Sequence, residues 1–152
     1  MGFLAGKRAL IVGIASTRSI AYAIAGAMHR EGAELALSYQ NEKLQSRVES
    51  AAAEFGNALT MELDVGSDDS LTAAADIVKN HWSDGFDIVI HAVGFAPREA
   101  LQGRFIDNVG RSDYSIAHDI SAYSLTALTR AVLPQLREGG SVLTLSYLGA
   151  ER

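Results

Sequence analysis

The stretch "ALIVGIASTRSIAYAIAGAMHREG", residues 9–32, passes from an apolar run into an amphipathic one across a turn that keeps a single glycine, Gly13. Residues 8–12 read as a strand of the kind buried on both faces. The spacing of Ile20, Ile24 and Met28 predicts a helix from about Ser19, which can cap the open amides, with Gly32 as its stop. Whether the turn between them holds a ligand or merely connects two elements decides what the fold is for.

The same alternation continues along the chain. "AELALSY" predicts a second strand, and a polar helix over residues 41–55 turns Leu44, Val48 and Phe55 inward before Gly56 ends it. "ALTMELDV" predicts a third strand, followed by a helix from Asp68 or Asp69 in which Leu71, Ala75, Val78 and Trp82 fall at helical spacing. "FDIVIHAVG" reads as the fourth strand. After a less regular segment, a long helix is expected from about Tyr114 to Arg137, and "GGSVLTLSYLG" supplies a fifth strand. Parallel neighbours need right-handed crossovers, so this order implies a doubly wound α/β fold with helices on both faces of one parallel sheet.

At 152 residues the chain is long enough for one domain with a real core. Its composition, 48% hydrophobic and 20% charged, is that of a globular protein. A net charge of −5 argues against non-specific attraction to nucleic acid or anionic lipid. The absence of cysteine excludes disulfides and thiolate metal sites and fits a reducing compartment. No apolar run reaches signal-peptide or membrane-span length, so the cytoplasm is the expected location.

In such a sheet ligands bind beyond the carboxyl ends of the strands. A pyrophosphate there needs free amides, the positive end of a helix and room for close approach. Gly13 can supply the turn, Ser19 a cap and a hydroxyl, and Ala21 a small packing residue. On the turn alone, an ordinary strand-to-helix connection fits equally well. Gln40 closes the second strand at about the distance from Gly13 where a residue contacting an adenosine ribose is expected. Its amide suits ribose hydroxyls, and nearby Glu42 would repel a 2′-phosphate, which favours NAD over NADP. Asp64 and Val65 close the third strand, with Asp64 either an adenine acceptor or a helix-capping residue. Val93 and Gly94 end the fourth, where Gly94 either admits a ribose or simply turns the chain. His91 and His118 read as structural hydrogen-bonding groups, and Arg98, Arg104 and Arg111 as a solvated face.

Taken together, the opening "MGFLAGKRALIVGIASTRSIAYAIAGAMHREGAELALSYQ" with "LDV", "HAVGFAP", "IAHDISAYS" and "LTLSYLGAER" resembles the bacterial NADH-dependent enoyl-acyl-carrier-protein reductases, a divergent branch of the short-chain dehydrogenase/reductases. The likeness spans essentially the whole chain, with an apparent extra residue near "HWSDGFD" and "HAVGFAP" where the family commonly has Ser-Ile-Gly. The resemblance implies a Rossmann-like sheet in the order 3-2-1-4-5 and NADH as cofactor. It implies reduction of the carbon–carbon double bond of an enoyl thioester on acyl carrier protein. Hydride then reaches the β-carbon and an enolate develops on the thioester oxygen.

By position, the resemblance implies that Gly13, Ser19, Ile20, Gln40, Asp64, Val65, Val93 and Gly94 meet NADH, that Ala96 borders the substrate and that Tyr147 is a catalytic tyrosine beside the acyl pocket. A second tyrosine and a lysine are expected beyond Arg152, so the chain reads as the amino-terminal portion of a larger homotetrameric enzyme, inactive alone. The edge left on the fifth strand is expected to make it self-associate. Two alternatives stay open: a dehydrogenase acting on a carbonyl or alcohol, for which Ser146 is available, and a nucleotide-binding fragment without catalysis.

Overall fold

A computed structural model describes residues 2–150; Glu151 and Arg152, the end of the "SYLGAER" motif, lie outside the described residues. Five parallel strands form one sheet: β1 (Arg8–Val12), β2 (Glu34–Tyr39), β3 (Leu59–Glu62), β4 (Phe86–His91) and β5 (Leu136–Thr144), in the spatial order β3-β2-β1-β4-β5. Helix α1 (Ile20–Arg30) joins β1 to β2, α2 (Glu42–Glu54) joins β2 to β3, and α3 (Asp68–His81) joins β3 to β4. The strand order is the one expected of a doubly wound sheet.

Alternation along the strands divides the core into two layers. Ala9 and Ile11 of β1, with Leu35 and Leu37 of β2, pack on Ala21, Ala25 and Met28 of α1 and on Val48 of α2. Leu10 and Val12 point the other way, toward Leu71 and Val78 of α3, Trp82 just after it and Leu128 further along. The inward stripe of α1 therefore falls on Ala21, Ala25 and Met28, whereas Ile20 is 64% exposed. Ile20 lies off the buried stripe of α1, and the small Ala21 beside it makes the close contact with the core.

The connection from β4 to β5 is longer. It contains a 3₁₀ turn (Arg98–Leu101), a short α4 (Phe105–Asn108), and a long helix made of α5 (Arg111–His118), a π turn (Asp119–Tyr123) and α6 (Ser124–Val132). That helix stops before Arg137, because Pro134 enters a 3₁₀ turn and Leu136 already belongs to β5. One face buries Ala127, Leu128 and Val132, while Tyr114, Ile116 and Tyr123 face outward. β5 is an edge strand in which Val142 and Leu143 remain exposed. It begins earlier than the glycine-rich stretch predicts and ends before Tyr147: Phe86 pairs with Leu136 but Ile88 with Ser141, and the slack holds Gly139 at φ +78°.

At the amino ends of the strands, charges hold the sheet together. Asp87 of β4 accepts from the Arg8 amide at 3.0 Å, from Lys7 Nζ at 3.1 Å and from Arg137 Nη1 at 3.3 Å. Arg8 and Arg137 both also pair with Asp84. Burial pushes the Asp87 carboxyl up, but the Arg8 amide and then the Lys7 and Arg137 cations outweigh it and hold the group below its ordinary value. This cluster lies at the opposite end of the sheet from the cleft described next.

Candidate functional site

Parallel strands bring their carboxyl ends to one edge, and there a cleft of about 240 Å³ opens between the tips of β1, β2, β3 and β4. At the β1 tip, Gly13 adopts φ +114°, and a Cβ on it would collide with the Ala92 carbonyl. The Ala92 amide donates to the Val12 carbonyl at 2.9 Å, so β1 and β4 close on each other where only glycine fits.

The rest of the loop manages without glycine because Ser19 folds it. Its hydroxyl oxygen accepts from the amides of Ala15 and Ser16, both at 3.0 Å. Ser19 occupies the N-cap of α1, yet its side chain makes no bond to the helix, contrary to the capping role expected from sequence. The first amides of α1 have no intrahelical acceptor, and the positive end of the helix faces the same edge. Arg47 of α2 donates to the Ala15 carbonyl at 3.4 Å, tying the loop to its neighbour.

Gln40, just past β2, lines the cleft together with Ser38 and Leu44. Beyond β3, where the Leu63 amide still donates to the Tyr39 carbonyl at 2.8 Å, Leu63 and Val65 contribute apolar walls. Asp64 between them is not among the lining residues: its Oδ1 accepts from the Gly66 amide at 3.0 Å, and its own amide donates to Ser70 Oγ at 2.9 Å. The cap of α3 is Ser67, not Asp64.

On the β4 side the walls are Ala92, Val93, Gly94 and Phe95. Gly94 is unlike Gly13, since a Cβ placed on it would meet nothing within 4 Å. The chain itself does not require glycine there, and the space belongs to the cleft. Phe95 is clamped by Ser121, whose hydroxyl accepts from its amide at 2.9 Å and bonds its carbonyl at 3.0 Å. Ser121 sits in the π turn that also brings Ile120 to the cleft wall, a use of widened helical turns common near functional sites. Among the described residues no charged side chain lines the cleft, so an anion bound there would meet no carboxylate from them.

Behind this wall His91 is completely buried. Its Nε2 lies 2.8 Å from Ser124 Oγ and its Nδ1 lies 3.0 Å from Thr144 Oγ1. The Ser124 hydroxyl donates to the Ile120 carbonyl at 2.6 Å and so must accept from Nε2–H, leaving Nδ1 to accept from Thr144. Burial lowers the pKa of the ring and keeps it neutral.

Of the residues marked from sequence, Gly13, Gln40, Val65, Val93 and Gly94 therefore share one cleft. Ser19 builds its loop, Ile20 stands exposed at the start of α1, and Ala96 follows Phe95 half-buried. Tyr147 is 93% exposed, lies past the end of β5 and does not line the cleft. Ser38 and Leu63 were not anticipated, although each stands two residues before a marked one, at or just past the end of its strand. Ile120 had no such signal, because a π turn leaves no periodic trace.

The description of the family model that matches residues 13–152 is Enoyl-(Acyl carrier protein) reductase. The chain belongs to this family. The enoyl-[acyl-carrier-protein] reductase [NADH] FabI of Salmonella typhimurium is 51% identical over 152 residues, which is all of this chain and 58% of that protein. FabI of Escherichia coli is 50% identical over the same span. The crystal structure of the enoyl-[acyl-carrier-protein] reductase (NADH) from Aquifex aeolicus superposes with a TM-score of 0.95 at 45% identity, covering 99% of this chain and 59% of that one. An enoyl-(acyl-carrier-protein) reductase from Anaplasma phagocytophilum, solved in complex with NAD, matches with a TM-score of 0.93 at 37% identity, covering 100% of this chain and 58% of that one. The chain thus spans a little under three-fifths of the enoyl reductases it matches, and the whole of that span has their fold.

Proposed function

We propose that this chain binds NADH in the strand-tip cleft and forms the cofactor-holding portion of an enzyme that reduces the carbon–carbon double bond of enoyl thioesters carried on acyl carrier protein. One observation carries the reading: Gly13, Gln40, Val65, Val93 and Gly94, distant in sequence, line a single cleft at the carboxyl edge of the sheet. The names of the FabI relatives and the NAD complex of the Anaplasma protein support it.

NADH would supply the hydride when bound. The chain's own residues have simpler tasks. The α1 amino end and the Ser19-folded loop favour an anionic pyrophosphate, Gln40 offers an amide to ribose hydroxyls, and the open space at Gly94 lets a ligand lie against the backbone of β4. At about 240 Å³ the cleft is smaller than sites that enclose a drug-sized ligand, roughly 300–1,000 Å³, so a dinucleotide would be only partly enclosed. On this reading Ala96 borders the acyl substrate, and Tyr147 stands beside the acyl pocket as the first of two tyrosines.

We also read the enzyme as a cytoplasmic homotetramer. The outward apolar residues Tyr114, Ile116 and Tyr123 on the long helix supply a face for a neighbouring subunit. Among the described residues no helix is long and apolar enough to cross a membrane. A second reading, nucleotide binding without catalysis, draws on the exposure of Tyr147 outside the cleft. Two assays separate them. Enhancement of NADH fluorescence on titration reports binding, and loss of absorbance at 340 nm with a crotonyl thioester reports reduction. Binding with turnover supports the reductase, binding without turnover the second reading, and no binding contradicts both.

A further inference from the structure

We propose that His91 is a positioning residue that ties the end of β5 to the wall of the cleft, so that the segment carrying Tyr147 and the segment carrying Phe95 keep one fixed relation. The proposal rests on the reading of the cleft as a cofactor site and goes beyond it, because His91 itself lines no part of the cleft.

The geometry is that of a bracket. His91 is the last residue of β4, immediately before the Ala92–Phe95 wall, and its ring is fully buried. One ring nitrogen meets Thr144, the last residue of β5, at 3.0 Å. The other meets Ser124 at 2.8 Å, and Ser124 bonds the carbonyl of Ile120, whose side chain lines the cleft. One turn of helix away, Ser121 holds Phe95 by both its amide and its carbonyl. The backbone adds a further tie, since the Leu145 amide donates to the His91 carbonyl at 3.3 Å.

No apolar ring of the same shape can make these links, and a buried imidazole is a costly way merely to fill space. Thr144 is exposed on the edge strand, so its hydroxyl gains nothing from burial by facing His91. A neutral imidazole joins a donor on one element to an acceptor on another in a fixed plane. Without it, β5 would still pair with β4, but its end and the π turn would be free to move independently.

The test is amide hydrogen exchange of the ligand-free chain at low micromolar concentration, with NADH titration alongside. His91→Phe keeps the shape and removes both side-chain links, Thr144→Val removes only the link to β5, and His91→Gln restores a donor and an acceptor. His91→Phe is expected to speed exchange about tenfold at residues 145–147 and 95–96 while residues 9–12 and 35–38 stay as they were. Thr144→Val should reproduce the change at 145–147 alone, and His91→Gln should recover most of the wild-type pattern. NADH affinity should fall about fivefold in His91→Phe and return in His91→Gln.

Uniformly faster exchange in His91→Phe, or unchanged exchange at 145–147 in Thr144→Val, would overturn the proposal and leave His91 a packing residue. If His91→Phe does not fold, Thr144→Val on the exposed strand decides the matter by itself. If the wild-type chain binds no NADH, the cofactor reading fails, and the ligand-free exchange still judges the bracket.

Discussion

Gly13 turns at φ +114° directly against the Ala92 carbonyl, leaving no room for a Cβ, whereas Gly94 on the other side of the cleft touches nothing that a Cβ would disturb. The two glycines therefore do different work. Gly13→Val should cost on the order of 3 kcal/mol of stability through backbone strain and collision. Gly94→Val should leave the melting temperature nearly unchanged while weakening NADH binding by about tenfold or more, because its side chain enters the cleft. Thermal melts paired with fluorescence titrations check both.

The loop between β1 and α1 depends on one hydroxyl. Ser19→Ala removes the acceptor for the Ala15 and Ser16 amides, two bonds worth roughly 1 kcal/mol each. Faster exchange of those two amides and weaker NADH binding are expected, with the helicity of α1 intact because Ser19 makes no side-chain bond to it. Circular dichroism and exchange rates on the same sample separate the two effects.

Acid should destabilise the fold in two steps. His91 has a lowered pKa through burial, so the unfolded chain binds its proton more readily than the native one. Its contribution is full above the ordinary histidine value of about 6.5 and falls as pH drops from there toward the lower native value. Ser124 and Thr144, the groups at its two nitrogens, are neutral and do not offset this. Asp87 acts in a lower window. Its native pKa lies below the ordinary 3.8, so the stability it adds is present above that value and is lost as pH falls through the native pKa. Denaturant midpoints measured from pH 8 to 2 should show both steps, with His91→Gln removing the upper and Asp87→Asn reducing the lower, to which Asp84 also contributes.

Most of the fold was legible because its signals are local. The apolar run of β1, the helical spacing of Leu71, Ala75, Val78 and Trp82, and the glycines at 32 and 56 all sit where sequence placed them. What escaped is set by tertiary context. Ile20 has the right period but stays exposed, and the long helix ends early because Pro134 and the pairing of Leu136 with Phe86 claim its last residues for a turn and a strand. At the site, the strand-tip residues were legible because a parallel sheet puts its carboxyl ends on one edge. The bond of the Asp64 carboxylate to the Gly66 amide, the loop-folding role of Ser19 and the π turn carrying Ile120 and Ser121 depend on hydrogen bonds that spacing alone does not encode.

The exposed edge of β5 carries its own expectation. Val142 and Leu143 are 40% and 45% exposed on a strand with one free side. Such an edge templates pairing with another chain. Sedimentation velocity should show the isolated chain self-associating as concentration rises, and Val142→Lys should shift it toward monomer without changing NADH binding.

The most direct test of the cofactor cleft is a map of amide exchange in the wild-type chain with and without saturating NADH. The tips of β1, β2, β3 and β4 should become protected together, at residues 13–16, 38–41, 63–66 and 92–96, while the amino ends of the same strands stay unchanged. Protection confined to one tip, or found instead around Asp84 and Asp87 at the far end of the sheet, would contradict it.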